Sequence, residues 1–201
     1  FYSGHTRLKK KRNTMFIQTE STPNPNTMSF LPGKDVTGGA GIEFLSKKEA
    51  KDKSPLVERL FDIDGVSSVF LGENFVSVTK NEKEDWSEIK TLVLGVLFEH
   101  FSMGHPVLLQ PIAEMGSKRE YIGENKEVVD KIIELLDTRV RPAVARDGGD
   151  IEFCEFDKGI LYLRMRGACA GCPSSTMTLK MGIENMMRHF VPEVLEVRAA
   201  E

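Results

Sequence analysis

The chain is organised around the stretch Gly167-Ala168-Cys169-Ala170-Gly171-Cys172-Pro173-Ser174-Ser175-Thr176, which holds two of its three cysteines. Proline is favoured in the first turn of a helix, so Pro173 predicts a helix start with Cys172 near its N-cap. A thiolate there accepts the free N–H groups of Ser174 and Ser175 and gains from the helix dipole. We therefore expect both thiols to ionise readily, as metal binding and redox chemistry require.

The segments on either side of this CxxC loop predict a small α+β domain in the order α-β-β-α-β, with the loop before the second helix. The upstream helix is expected to kink or end at Pro142, before a stop and turn at Arg146-Asp147-Gly148-Gly149-Asp150. Two strands joined by a turn at Asp157-Lys158-Gly159 lead to the loop. Helical spacing of apolar residues supports both helices: Val128, Val129, Ile132, Ile133, Leu136 and Val140 upstream, and Leu179, Ile183, Met186, Met187 and Phe190 downstream.

Residues 15–101 predict a second α+β domain, in the order β-β-α-β-β-α, without cysteine and without an evident catalytic set. Its strands are expected at residues 15–18, 27–31, 66–71 and 75–79. Ser54-Pro55 and Asp85 are expected to open its two helices. The second helix should bury one face, with His100 beside that face: Ile89, Leu92, Val93, Val96, Leu97 and Phe101.

Residues 34–53 contain Gly38-Gly39 and are expected to form a flexible connection. A phosphate loop is disfavoured because no Gly-Lys-Ser/Thr follows in register. Residues 102–123 have the glycine and proline content of a linker between the two domains, and residues 124–201 form the second domain. Within the linker, Val107-Leu108-Leu109 is apolar enough to dock on one of the domains.

Residues 1–14 form a basic N-terminal segment that begins with Phe1 instead of methionine, which indicates a processed or truncated chain. The segment fits the tail of an organellar targeting sequence, a disordered basic arm or an expression artefact, and composition does not choose among these.

The overall composition narrows the class of protein. With 201 residues, 40% hydrophobic and 28% charged, the chain is typical of a soluble globular protein. The net charge of −3 argues against nucleic-acid binding, and the longest apolar run, Leu92 to Phe98, is too short to span a membrane. An odd number of cysteines favours a reducing compartment over a secreted disulfide scaffold.

A CxxC pair supports disulfide exchange, zinc binding or iron–sulfur ligation. A thioredoxin-like oxidoreductase is disfavoured because its motif lies early in the domain, whereas only a helix and a short strand follow Cys172. Zinc needs four ligands, and we expect His189 to be an ordinary helix residue and Cys154 a small buried hydrophobe. Two chains related by a two-fold axis would bring four thiolates together, for an iron–sulfur cluster or for zinc.

The CxxC loop, with Arg146-Asp147-Gly148-Gly149-Asp150 upstream, resembles the C-terminal NifU-like domain of Nfu iron–sulfur scaffolds. The stretch Met15-Phe16-Ile17-Gln18-Thr19-Glu20, with Thr22-Pro23-Asn24-Pro25-Asn26-Thr27, is similar to the N-terminal domain of the mitochondrial members of that family. The resemblance covers both domains, roughly residues 15–101 and 124–198.

The resemblance implies a carrier that binds a [4Fe–4S] cluster through Cys169 and Cys172 of two subunits and hands it to apo-proteins. It implies a homodimer through the C-terminal domain when cluster-bound, partners in the upstream assembly machinery, and recipients such as lipoyl synthase and respiratory-chain subunits. Such a protein turns over no substrate and is not an enzyme. The implied subcellular location is the mitochondrial matrix, and the basic N-terminal segment is consistent with it. A thiol oxidoreductase and a zinc-stapled interaction module are the alternatives.

Several residues next to the CxxC loop have two alternative roles. Arg164 and Arg166 either neutralise the charge of a bound cluster or are solvated strand ends. Gly148 and Gly149 either end a helix and turn the chain, or let the backbone approach the cluster. Met177 and Met181 offer a soft docking surface, whereas Met186 and Met187 are expected in the core.

Overall fold

Residues 15–112, 125–171 and 173–200 are described by a computed structural model. Four parts of the chain lie outside the described residues: the expected basic segment 1–14, the second half of the linker (113–123), the domain start near residue 124, and Cys172. The described residues form two separate hydrophobic cores, one that contains Leu97 and one that contains Met187. The fold is therefore an α+β arrangement of two domains, as the sequence predicts.

The N-terminal domain contains a five-stranded antiparallel sheet in the order β1-β2-β5-β4-β3. The β4–β5 hairpin lies where the sequence predicts it, and β1 begins three residues later than expected. The strands are β1 (Gln18–Ser21), β2 (Thr27–Leu31), β3 (Ile42–Phe44), β4 (Val66–Leu71) and β5 (Val76–Lys80).

Three helices accompany this sheet: α1 (Lys47–Ala50), α2 (Pro55–Leu60) and α3 (Trp86–Met103). Polar side chains cap their starts, since Ser54 accepts a hydrogen bond from the Val57 N–H and Asp85 accepts one from the Ser87 N–H. Two expectations for α3 are wrong. Leu92 is 54% exposed instead of buried, and His100 is fully buried against the Phe101 ring instead of lying at the boundary.

Residues 34–53 are not the flexible connection that the sequence suggests. Ile42 pairs with Leu71 across β3 and β4, and Phe44 is buried in the N-terminal core. Ser46 caps α1 by accepting a hydrogen bond from the Glu49 N–H. The glycine-rich composition of this segment obscures the signal of the short strand β3. This strand is stabilised by its pairing with β4, which the local sequence does not reveal.

The first part of the linker docks on the N-terminal domain. Ser54 Oγ donates a 2.6 Å hydrogen bond to the Val107 carbonyl, and the Leu109 N–H donates to the Lys53 carbonyl. Val107 and Leu108 pack against the N-terminal core. The apolar stretch of the linker is thus an extension of the N-terminal domain.

The C-terminal domain has the predicted order, with the CxxC loop between β7 and the last helix. β6 pairs antiparallel with β7, and β8 pairs parallel with β7. The elements are α4 (Lys126–Leu135), a π-helical turn (Leu136–Val140), α5 (Arg141–Arg146), β6 (Gly149–Asp157), β7 (Ile160–Gly167), α6 (Pro173–Phe190) and β8 (Glu196–Ala199).

Pro142 interrupts the first helix of this domain without ending it. Proline lacks an N–H, and its ring crowds the carbonyl four residues earlier, here that of Thr138. The π-helical turn Leu136–Val140 accommodates this change, and α5 continues the helix to Arg146. In the part of the chain that the structure describes, no helix is long and apolar enough to cross a membrane.

Candidate functional site

The CxxC loop leaves the end of β7 and leads into α6. The Ala170 N–H donates to the Gly167 carbonyl, and the Ala168 N–H donates to the Gly148 carbonyl at 3.1 Å. Gly167 has φ +59°, in the left-handed region that favours glycine. A β-carbon at Gly167 would lie 2.7 Å from the Gly148 carbonyl oxygen. The loop is therefore a tight turn fitted against the start of β6.

Cys169 lies inside the C-terminal core. Its residue is only 7% exposed, and it belongs to the same apolar cluster as Ile151 and Met187. Burial raises the pKa of the Cys169 thiol to about 12, and the negative charges of Asp147 and Asp150 act in the same direction. The expectation that this thiol ionises readily is therefore wrong for the observed conformation, because desolvation disfavours the thiolate.

Gly149 allows the backbone to contact the Cys169 sulfur. A β-carbon at Gly149 would lie 2.4 Å from Cys169 Sγ and 2.9 Å from the Cys169 nitrogen, closer than atoms can approach. Gly148, with φ +77°, turns the chain after α5 ends. Gly148 therefore turns the chain, as expected, and Gly149 lets the backbone contact Cys169.

Arg141 and Asp150 form a forked ion pair beside this turn. Arg141 Nε and Nη2 lie 2.9 and 3.0 Å from the two carboxylate oxygens of Asp150. Asp150 is buried at the start of β6, whereas Arg141 is about one-third exposed and also reaches Asp137. The pair fixes the start of β6 to α5, and therefore fixes Gly149 against Cys169.

Arg164 and Arg166 both form ion pairs with Glu152 on β6, at 3.3 and 2.6 Å. These arginines are therefore held across the β6–β7 pair, and a cluster at the loop would compete with Glu152 for their charge.

The other candidate ligands do not join Cys169. Cys154 is the extra residue of a bulge in β6, half-buried, so it is not the fully buried hydrophobe that the alternating pattern predicts. His189 is exposed near the end of α6, beside the Phe190 ring. Within residues 15–112, 125–171 and 173–200, no group of three His, Cys, Asp or Glu side chains is placed to hold a metal ion.

The N-terminal domain contacts the CxxC loop directly, and no pattern in the sequence predicts this contact. Asn24 Nδ2 donates to the Ala170 carbonyl at 2.9 Å, and the Gly167 N–H donates to Glu43 Oε1 at 2.9 Å. Burial raises the pKa of Glu43, although the Gly167 N–H and Arg166 favour its charged form. The sequence shows Thr22-Pro23-Asn24-Pro25-Asn26 only as a polar turn, and the burial of Asn24, which requires a hydrogen-bond partner, is visible only in the structure.

Met177 and Met181, in the first half of α6, have exposed side chains. Met187 is fully buried in the C-terminal core, and Met186 packs against it from a partly buried position. The expected division of the methionines between surface and core is therefore observed.

Two family models match the chain. The model described as "Scaffold protein Nfu/NifU N terminal" matches residues 17–104, and the model described as "NifU-like domain" matches residues 132–198. The fold and the loop thus define a two-domain protein whose second domain carries the CxxC motif.

Curated relatives match across both domains. NifU-like protein 5, mitochondrial, of Arabidopsis thaliana is 47% identical over 187 residues, covering 92% of this chain and 68% of its own length. NifU-like protein 4, mitochondrial, of the same plant is 47% identical over 189 residues, covering 93% and 66%. The NFU1 iron-sulfur cluster scaffold homolog, mitochondrial, of Drosophila willistoni is 43% identical over 186 residues, covering 92% and 64%. The chain spans about two thirds of the length of these relatives, and it belongs to the Nfu/NifU-like family.

Proposed function

We propose that this protein is an iron–sulfur cluster scaffold that binds a [4Fe–4S] cluster as cargo between two subunits and transfers it to apo-proteins. Cys169 and Cys172 of each subunit are the ligands. The supporting observation is the CxxC pair at the start of α6 in a chain whose relatives include a protein named as an iron-sulfur cluster scaffold homolog.

Two subunits are needed because a cluster of this type takes four thiolates and one CxxC motif supplies two. Among the described residues, no group of three His, Cys, Asp or Glu side chains is placed to hold a metal ion. A two-fold axis through the cluster would present the same two cysteines from each chain. The homodimer is therefore formed by the C-terminal domains and depends on the cluster.

The environment of Cys169 suits a carrier that must release its cargo. Keeping this sulfur as a thiolate in the observed conformation costs about 4 kcal/mol relative to an ordinary thiol. Ligation by iron deprotonates a thiol, so cluster binding must offset this cost or move Cys169 out of the core. On release, the sulfur takes up a proton and returns beside Gly149, which stabilises the empty loop.

The start of α6 supports the cluster electrostatically. Its first N–H groups have no intrahelical acceptor and lie at the positive end of the helix dipole. Incoming cysteines of a recipient replace the carrier's thiolates one at a time, and no substrate is turned over, so we do not propose an enzyme. Upstream assembly proteins would load the scaffold, and lipoyl synthase and respiratory-chain subunits would receive the cluster.

The proposed location is the mitochondrial matrix. The relatives that match along both domains carry the word mitochondrial in their names.

The deciding experiment is the iron and acid-labile sulfide content of protein purified without oxygen. We expect about two iron and two sulfide per chain, which corresponds to one [4Fe–4S] cluster per dimer. Cys169→Ser and Cys172→Ser should lose both. Cys154→Ser is the matched control, because this third cysteine lies in the β6 bulge, and it should retain the full content.

Two other outcomes would replace the proposal. About half a zinc per chain without sulfide would indicate a zinc-stapled interaction module. A Cys169–Cys172 disulfide with insulin-reducing activity in the monomer would indicate a thiol oxidoreductase.

A further inference from the structure

One face of the N-terminal sheet carries a row of residues that are paired across four strands. Ser29 on β2 pairs with Ser77 on β5, Ser77 pairs with Phe70 on β4, and Phe70 pairs with Glu43 on β3. Directly opposite residues of an antiparallel sheet point to the same face. We call Ser29, Ser77, Phe70 and Glu43 the cross-strand row.

Three of the four residues of the cross-strand row are buried and Glu43 is half-buried, although the composition of the row is largely polar. Ser29 and Ser77 are 3% and 1% exposed, and Phe70 is 2% exposed. The helix-covered core of this domain takes the alternate residues, such as Phe30, Val76 and Val78. Small polar residues on the opposite face of a sheet are normally left to water, so their burial marks a contact surface.

The surface that covers the cross-strand row is the backbone around Cys169. Ser77 Oγ donates a 2.6 Å hydrogen bond to the Gly148 carbonyl, and Glu43 accepts the Gly167 N–H. The Phe70 ring lies against Gly167, where an added β-carbon would come within 3.2 Å of it. Asn24, beside the row, holds the Ala170 carbonyl. These contacts bracket the cysteine on both sides in sequence.

Each of these contacts recognises main-chain atoms, and glycine permits the approach. A β-carbon on Gly148 would lie 2.8 Å from Ser77 Oγ, and Gly167 is similarly confined. A face that offers one hydroxyl, one carboxylate and one amide at these positions binds a glycine-rich backbone specifically. Its partner is the CxxC loop together with the Gly148 turn.

We propose that the cross-strand row and Asn24 form a docking surface for the CxxC loop of the same chain, and that docking and cluster sharing exclude each other. The proposal rests on the proposed function, in which Cys169 must face a second chain. In the docked arrangement Cys169 is buried, Ala170 is held by Asn24, and the flank of the loop is occupied by the sheet. The N-terminal domain must therefore leave the loop before two loops can meet at one cluster.

The test uses the full chain with Asn24→Asp as the disrupting variant. An aspartate still accepts the Asn26 N–H that Asn24 Oδ1 accepts, so the local turn is retained. It cannot donate to the Ala170 carbonyl, and it places a carboxylate against that oxygen. Asn81→Asp is the matched control, since Asn81 is exposed just after β5 and the change in charge is the same.

The first readout is amide hydrogen exchange at Gly167 in metal-free protein, followed by NMR. This N–H binds Glu43 and does not touch Asn24, so it responds to Asn24→Asp only if the surface docks as a unit. We expect about tenfold faster exchange in Asn24→Asp, in keeping with one lost hydrogen bond and a new repulsion. Exchange in Asn81→Asp should match the wild type. Equal exchange at Gly167 in all three chains would overturn the proposal.

The second readout is the rate at which the chains take up a cluster from iron and sulfide, followed by visible absorbance. We expect Asn24→Asp to load several-fold faster than the wild type and Asn81→Asp. A variant that undocks without loading faster would overturn the exclusion of cluster sharing by docking. If no chain takes up a cluster, the proposed function fails, and exchange at Gly167 alone decides whether the domains dock.

Discussion

Gly149 and Cys169 are in direct contact, with room for a hydrogen atom but not for a methyl group between the Gly149 α-carbon and the Cys169 sulfur. The contact joins the start of β6 to the CxxC loop, and it lies within the C-terminal core. The proposed ligand is thus held in a conformation that depends on a glycine two elements away. A change at Gly149 therefore acts on both the stability of the domain and the position of the sulfur.

Gly149→Ala should destabilise the protein and expose Cys169. The added carbon overpacks the core, which costs about 1–3 kcal/mol, and the sulfur is the group that can move. We expect a lower urea midpoint and faster alkylation of Cys169 by iodoacetamide, located by mass spectrometry. Gly182→Ala is the control, because its β-carbon meets no atom within 4 Å and alanine favours a helix by about 0.5–1 kcal/mol. An unchanged midpoint and unchanged alkylation in Gly149→Ala would contradict the contact.

Arg141→Ala should lower the free energy of unfolding of the C-terminal domain by about 1–3 kcal/mol. This is less than the loss of a fully buried ion pair would cost, because Arg141 is one-third exposed and water screens its charge. The substitution leaves the buried Asp150 carboxylate without its cation. Urea unfolding of wild type and variant measures the effect. Arg198→Ala removes an equally short but exposed ion pair with Glu196, and its midpoint should stay close to that of the wild type. Equal effects of the two variants would show that burial of Asp150 contributes nothing.

His100 should make the N-terminal domain sensitive to mild acid. Burial lowers the pKa of His100, and the positive charges of His105 and Arg59 lower it further. The fold therefore favours the neutral ring. Its contribution is complete above about pH 6.5, the value for an unfolded histidine, and is lost as the pH falls through the lower pKa of the folded state.

The measurement is the thermal midpoint at pH 7.0 and at pH 5.5. The wild type should lose more stability over this interval than His100→Leu, in which the titrating ring is absent. His189→Gln removes an exposed histidine from α6 and should keep the full dependence of the wild type. A His100→Leu chain that loses as much stability as the wild type would contradict the assignment.

Dilution should speed cluster loss from the loaded protein. A cluster held by two ligands per subunit is released more easily once the subunits separate, and separation follows mass action. Visible absorbance after dilution into buffer with a fixed chelator concentration measures the rate. Adding metal-free chain to restore the original total concentration should slow the loss again. A rate that does not depend on chain concentration would contradict a cluster shared between subunits.

The elements of the C-terminal domain follow from local signals in the sequence. Pro173 starts α6, the Asp157-Lys158-Gly159 turn joins β6 to β7, and helical spacing marks the helices. These signals act over a few residues, so the elements can be predicted from the sequence without knowledge of tertiary contacts. Pro142 gave an ambiguous signal, because the choice between ending a helix and inserting a π-helical turn depends on how Val140 and Val144 pack in the core.

Two short elements of the N-terminal domain could not be predicted from the sequence. β3 has three residues and α1 has four, and neither is stable without the sheet that it joins. Leu92 and His100 exchanged their expected burial because both lie near the edge of the apolar face of α3, where the neighbouring elements decide which side is covered.

The sequence by itself determined the two α+β domains, the CxxC loop before α6 and the family to which they point, because these depend on local chemistry and spacing. Only the tertiary structure decided the burial and the pKa of Cys169 and the contacts of Asn24 and Glu43. The Asn24 and Glu43 contacts join residues 146 and 124 positions apart. The pKa of a thiol depends on the atoms that replace water around it, and those atoms come from β6 and the core. Residue spacing carries no record of such packing.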